Sequence, residues 1–172
     1  MRSATTILFV LSVVSSVFAG EISEPTTGVK LTYSDDLWQA EFQDQKIFLS
    51  CMADACGGDC SVVSTTTPTG LDSHEFFERY RNEINDETIA RGVTYGFDPI
   101  AIDKPSLVKI DGRDVSLSSV RLRKPGLIRN WTAVSEAPFG VVTLICYTTE
   151  DTYEIARKTW LKLAKGIALP EK

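Results

Sequence analysis
The residues predict an α+β domain, an antiparallel β-sheet flanked by two main helices, and three observations lead there. Segments of period 2 come in two runs, one in the first third of the chain and one after residue 106, while two segments of helical period stand apart from them. The chain has 172 residues, 43% of them hydrophobic and 24% charged, the composition of one globular domain with enough residues for a single core. Four cysteines, all behind an export-type N-terminus, predict two disulfides.

The export signal comes first. Met1 to Gly20 carries one cation, Arg2, then the apolar runs Ile7 to Leu11 and Val13 to Phe18, then small residues around Ala19. This is the pattern of a secretory signal peptide, so residues 1–19 are expected to be removed. The apolar stretch of about a dozen residues falls short of the roughly 20 that a membrane span needs, and no transmembrane segment is expected after cleavage. The residue immediately after the cleavage site is Gly20 rather than a cysteine, so a lipoprotein is not indicated. Loss of Arg2 leaves 17 Lys+Arg against 23 Asp+Glu, a net charge of −6. An acidic domain offers no general field for nucleic acid or anionic membrane.

Residues 20–28 read as a polar leader and 29–172 as the single domain. Val29 to Tyr33 alternates apolar and polar side chains, Trp38 to Phe42 and Lys46 to Cys51 are short β-prone runs, and Ser61 to Thr66 is rich in β-branched residues. Pro68-Thr69-Gly70 breaks the pattern. Asp72 followed by Glu75 is a capping box, and Phe76, Phe77, Tyr80 and Ile84 then share one face of a helix from Ser73 to about Asn85. Asp86 to Lys104, with Gly92, Gly96 and Pro99, has no clean period and reads as an irregular connection with room for a brief turn of helix or strand. Asp111-Gly112 between Leu107–Ile110 and Arg113–Arg123 is a type I′ hairpin signal, because both central residues need positive φ. Leu127 to Ser135 adds a strand, Glu136 to Gly140 reads as a connection, and the apolar run Val141 to Tyr147 predicts a central strand buried on both faces. A last helix runs from about Glu150 to Lys165, with Ala156, Trp160, Leu163, Ala164 and Ile167 on its buried face.

Cys51, Cys56, Cys60 and Cys146 permit three pairings, all of which tie the segment CMADACGGDC to Cys146 by one bond. Gly57 and Gly58 supply the backbone freedom for a tight loop. The C-x4-C-x3-C spacing lacks the paired ligands of a zinc site and the C-x-x-C of a redox site, so structural disulfides are the expectation.

The element order, the meander carrying VKIDGRDVSL, and the last apolar strand feeding a terminal helix, TLICYTTEDTYEIARKTWLKLAKGI, together resemble the PsbP-like fold. The resemblance covers most of Val29 to Leu169 and rests on order and patterning. It implies an α/β/α sandwich and an accessory or binding role, since members include extrinsic photosystem subunits, a Ran-GTPase-binding factor and small exported bacterial proteins. No functional residue is carried over by it.

Chemical constellations are sparse. His74, the single histidine, sits in HEFFE, where Glu78 occupies the place of the second zincin ligand, and it reads as a solvated helix-start residue. No G-x-S-x-G presents a nucleophile. Asp35-Asp36, Glu150-Asp151 and Asp98 with Asp103 read as turn, cap and solvating residues. The expectation is a non-enzymatic, exported protein, periplasmic or extracellular, that needs no cofactor or metal and binds another protein. The candidate contact is the cationic turn RLRKPGLIR, with Arg121, Arg123, Lys124 and Arg129, although edge protection is the simpler account of these residues. Trp38, Trp131 and Trp160 read as packing residues, and Asn130-Trp131-Thr132 is a glycosylation sequon. Two alternatives are a small-molecule carrier with a pocket between sheet and helices and a hydrolase using scattered carboxylates or His74.

Overall fold
The computed structural model describes residues 19–84, 98–124 and 126–170. Of the predicted signal peptide only Ala19 falls within them, and residues 86–97 of the irregular connection lie outside. Ten strands form two antiparallel sheets: β1 (Ala19–Ser23), β2 (Lys30–Ser34), β3 (Trp38–Gln43), β4 (Lys46–Cys51), β5 (Cys60–Ser64), β6 (Asp98–Ile110), β7 (Arg113–Lys124), β8 (Gly126–Ala137), β9 (Gly140–Thr149) and β10 (Ile167–Ala168). Among the described residues the α-helices are α1 (Ser73–Ile84) and α2 (Tyr153–Gly166). The large sheet has the order β3-β4-β5-β9-β8-β7-β6, and the small one β1-β2-β10. The α+β class and the two disulfides are as the sequence predicts, and both predicted helices are found among the described residues.

Strand alternation decides which helix covers which face. Ser119 pairs with Trp131 and Trp131 with Cys146, so these side chains share a face. On that face Trp131 meets Trp160 of α2 at a ring separation of 6.0 Å. Ser118, one residue earlier on β7, points the other way, where its hydroxyl meets the Tyr80 hydroxyl of α1 at 3.2 Å. The helices therefore lie on opposite faces. Burial of Tyr80 pushes its phenol above the ordinary 10.0, and the Ser118 hydrogen bond opposes the shift.

The main core sits under α2. Ala156, Trp160, Leu163 and Ala164, with Ile167 after them, are buried as the helical spacing predicts, against Ile47, Leu49, Val62, Leu144 and the Cys60–Cys146 bond. Val29 and Leu31 close its edge. Trp38, Trp131 and Trp160 are all core residues.

Four expectations are corrected. The leader contains a strand, β1, each residue of which pairs with β2. The connection from Asp86 ends at Asp98, because β6 begins there and pairs with β7 through two bulges, Pro99/Ala101 and Asp103/Ser106. Val141 to Tyr147 is central but not buried on both faces. Val142, Leu144 and Cys146 are buried, while Val141, Thr143, Ile145 and Tyr147 are half-buried, since α1 packs nearest β6 and β7. The connection Glu136–Gly140 shrinks to a two-residue turn, Pro138-Phe139, because strand pairing runs on to Ala137 and Gly140.

The Asp111-Gly112 turn has the positive φ values expected of it, and the turn between β3 and β4 has them without a glycine. Asp111 and Gly112 have φ of 49° and 80°, closed by the pair Ile110 and Arg113. Asp44 and Gln45 adopt 50° and 63° between Gln43 and Lys46, a conformation that usually recruits glycine. The capping box forms as read: Asp72 Oδ1 accepts the Glu75 N–H at 2.8 Å, and Glu75 Oε2 accepts the Asp72 N–H at 3.2 Å.

Candidate functional site at the β7–β8 hairpin
Arg121 and Arg129 face each other across the β7–β8 ladder. Like charges in that position repel, so the pair needs anions. Two arrive from elsewhere in the chain. Glu150, in the short 3-10 turn Glu150–Thr152 after β9, takes Arg121 Nε at 3.1 Å and Arg129 Nη1 at 3.3 Å on its Oε1. Asp103 of β6 takes Arg129 Nη2 at 2.6 Å on its Oδ2, which also accepts the Ser119 hydroxyl. The Arg129 guanidinium lies 4.3 Å from the centre of the Tyr153 ring.

The four predicted cations thus have different surroundings. Arg129 is buried, with 6% of its surface exposed, and is held by two carboxylates and an aromatic face. Arg121 is half-exposed, with 47% of its side-chain surface open. Arg123 and Lys124 occupy the last backbone positions of β7, where the hairpin runs past Thr149, the end of β9. Asp103, Ser119, Glu150 and Tyr153 were not legible as one site, because the register of three strands and the turn into α2 bring them together. The available signal was the period-2 placement of Ser119 and Arg121 on β7.

Beside this network lies a pocket of about 170 Å³ lined by Asp103, Lys104, Ser119, Trp131, Tyr153 and Arg157, among others. Metabolite sites are usually about 300–1,000 Å³, so this pocket suits a few waters or one side chain of a partner.

The remaining sequence candidates are structural in their contacts. His74 is exposed, and its N–H donates to Asp72 Oδ1 at 2.8 Å as part of the helix cap. Asn130 of the sequon is 1% exposed, and its Oδ1 accepts the Thr132 hydroxyl at 3.0 Å. Cys51 bonds Cys56, and Cys60 bonds Cys146 across the β5–β9 ladder. Gly57 has φ of 74°, and a Cβ on Gly58 would stand 2.0 Å from the Tyr147 carbonyl oxygen, so both loop glycines are required. Among the described residues no helix is long and apolar enough to cross a membrane.

No family model and no curated protein matches the chain. Solved structures do. Cyanobacterial PsbP (CyanoP) from Synechocystis superposes with a TM-score of 0.59 at 12% identity, over 95% of this chain and 99% of that one. A protein from Bacteroides thetaiotaomicron gives 0.58 at 11% identity over 84% of this chain, which spans 46% of that one. A Pseudomonas aeruginosa protein of unknown function, titled as a regulator candidate, gives 0.51 at 12% identity over 83% and 92%. At such identities the likeness is one of fold, and the fold is PsbP-like.

Proposed function
We propose that the chain is an exported, non-enzymatic accessory domain that binds another protein through the end of the β7–β8 hairpin. The observation that carries this reading is the Arg129 network. It pins Arg121 and strands β7 and β8 to the start of α2, so the last backbone positions of β7, which carry Arg123 and Lys124 in sequence, continue from an anchored base. A cluster of cations next to an anchored base on an acidic protein favours an acidic patch as its partner. Export is supported by the two disulfides, which persist in oxidising compartments.

The two competing readings find less support. Asp103 and Glu150, two of the carboxylates open to a hydrolase, are engaged with Arg129 and Arg121. The layer between α2 and the large sheet, where a carrier would hold its ligand, is filled by Trp131, Trp160 and the Cys60–Cys146 bond.

The test is cross-linking in the native exported fraction with a triple variant, Arg121→Gln, Arg123→Glu and Lys124→Glu. Arg121 is neutralised rather than reversed because Glu150 lies 3.1 Å away. The expected result is about a tenfold loss of cross-linked partner with the melting temperature lowered by no more than about 4 °C, the cost of losing the Arg121–Glu150 contact. His74→Ala should leave the cross-link intact. A partner yield unaffected by the triple variant removes the tip from the binding surface.

A further inference from the structure
A second feature flanks the same 3-10 turn. Met52 and Ile155, 52% and 60% exposed, are the two most exposed large hydrophobic residues described, and both line one groove of about 590 Å³. Its floor and walls come from the disulfide loop, Cys51 to Gly58, and from Thr152 and Ile155 at the start of α2.

The loop is fixed at many points. Cys51 bonds Cys56, and Asp59 Oδ1 accepts the Cys51 N–H at 2.8 Å. The Leu37 carbonyl accepts the Met52 N–H at 2.9 Å. From α2, Thr159 Oγ1 donates to the Ala55 carbonyl at 2.9 Å and Trp160 Nε1 to the Cys56 carbonyl at 3.0 Å. Thr148 Oγ1 donates to the Gly57 carbonyl at 2.7 Å. Two apolar side chains are thereby held open to water on a wall that cannot fold over them.

The charge of the groove has one sign. Asp54 is the single charged residue in its lining, and the exposed Asp59 and Asp151 adjoin it in sequence. Arg157 and Lys158, the nearest cations along α2, lie outside the lining, and Arg157 is directed to Glu154 at 3.9 Å. Two exposed apolar side chains beside the Asp54 carboxylate, with no cation among the described lining residues, complement an apolar side chain flanked by Lys or Arg.

We propose that this groove docks a peptide segment of a partner protein carrying a Leu-, Met- or Phe-type anchor next to a basic residue. The inference rests on the protein-binding reading and adds a second contact beside the cationic tip. Both contacts meet at Glu150–Thr152, with Glu150 holding the arginines and Thr152 lining the groove.

The probe is a random 12-residue peptide library selected on the oxidised domain, residues 20–172. Enriched peptides should pair an apolar anchor with Lys or Arg and lose at least tenfold in affinity on Ile155→Glu or Met52→Glu. Asp54→Lys should weaken them several-fold, with a flatter salt dependence. Both apolar positions face solvent, so the variants keep the wild-type melting temperature, which is checked alongside. Peptides of other chemistry, peptides insensitive to these variants, or no enrichment overturn the proposal. Self-association lost on Ile155→Glu assigns the groove to a second copy of the chain and also overturns it. If the groove variants change nothing while the tip variant abolishes cross-linking, the groove falls and the binding function stands.

Discussion

Arg129 shows how one buried cation can organise a surface it does not itself present. Its side chain is 8% exposed, and two carboxylates from opposite sides compensate its charge. Arg129→Met leaves Asp103 and Glu150 without that cation, and because both carboxylates are partly solvated the expected loss is about 2–3 kcal/mol rather than the full penalty of a buried orphan charge. Arg121→Ala removes a half-exposed arm of the same network and should cost under about 1 kcal/mol. Urea unfolding of the two variants measures the contrast. Glu24 is the other residue whose charge is used inside the fold. It is 3% exposed, and its oxygens accept the N–H groups of Thr26 and Thr27, each at 2.7 Å. Burial acts to raise its carboxyl, but the hydrogen bonds from Thr27 and Thr26 together outweigh it and hold the group below the ordinary 4.5. A lowered folded value means stability that is full above about 4.5 and lost as pH falls through the folded value. The urea midpoint should therefore drop on acidification below that point, and Glu24→Gln, already without the charge, should flatten the drop.

The hairpins show which elements local chemistry specifies. At Gly112 a Cβ would meet nothing within 4 Å, so Gly112→Ala costs only the backbone strain of φ 80°, about 1–2 kcal/mol. Gln45 already bears that strain at φ 63°, and Gln45→Gly should return roughly 0.5–1 kcal/mol, read as a higher midpoint with an unchanged slope. Elements with their own signal were legible in the sequence: β4 from Lys46 to Cys51, the Asp111-Gly112 turn, the cap at Asp72 and the buried stripe of α2. Elements defined by a neighbour were not. β1 offers only Ile22 as an aliphatic anchor and exists because β2 supplies its partners. β6 contains Pro99 and Pro105, which suit an edge strand interrupted by bulges, and its pairing comes from β7. The candidate site failed to show itself for the same reason. Four cations within nine residues looked like one exposed patch, but cross-strand register carried Asp103 and Glu150 to Arg129 and took it inside.

The two disulfides act on the whole molecule unequally. Cys60–Cys146 joins residues 86 apart, in the middle of the large sheet, whereas Cys51–Cys56 closes a loop of separation 5. In the chain-entropy model the long closure is worth about 4–5 kcal/mol and the short one about 2. Replacing Cys60 and Cys146 together by Ala should lower stability by the larger amount and loosen the contact between β5 and β9. Replacing Cys51 and Cys56 should cost less than half of that and leave the sheet intact, with the change confined to the loop against α2. Denaturation curves and amide exchange of the two paired variants separate these outcomes.

The placement of those bonds also imposes an order in time. In a chain that emerges N-terminus first, the thiols of Cys51, Cys56 and Cys60 arrive together, and the fourth follows only after 86 more residues, on the strand just before α2. Until then the third thiol has no native mate, and the two within reach belong to each other. Correct pairing therefore waits for the final stretch of chain, which makes β9 the timekeeper of oxidation.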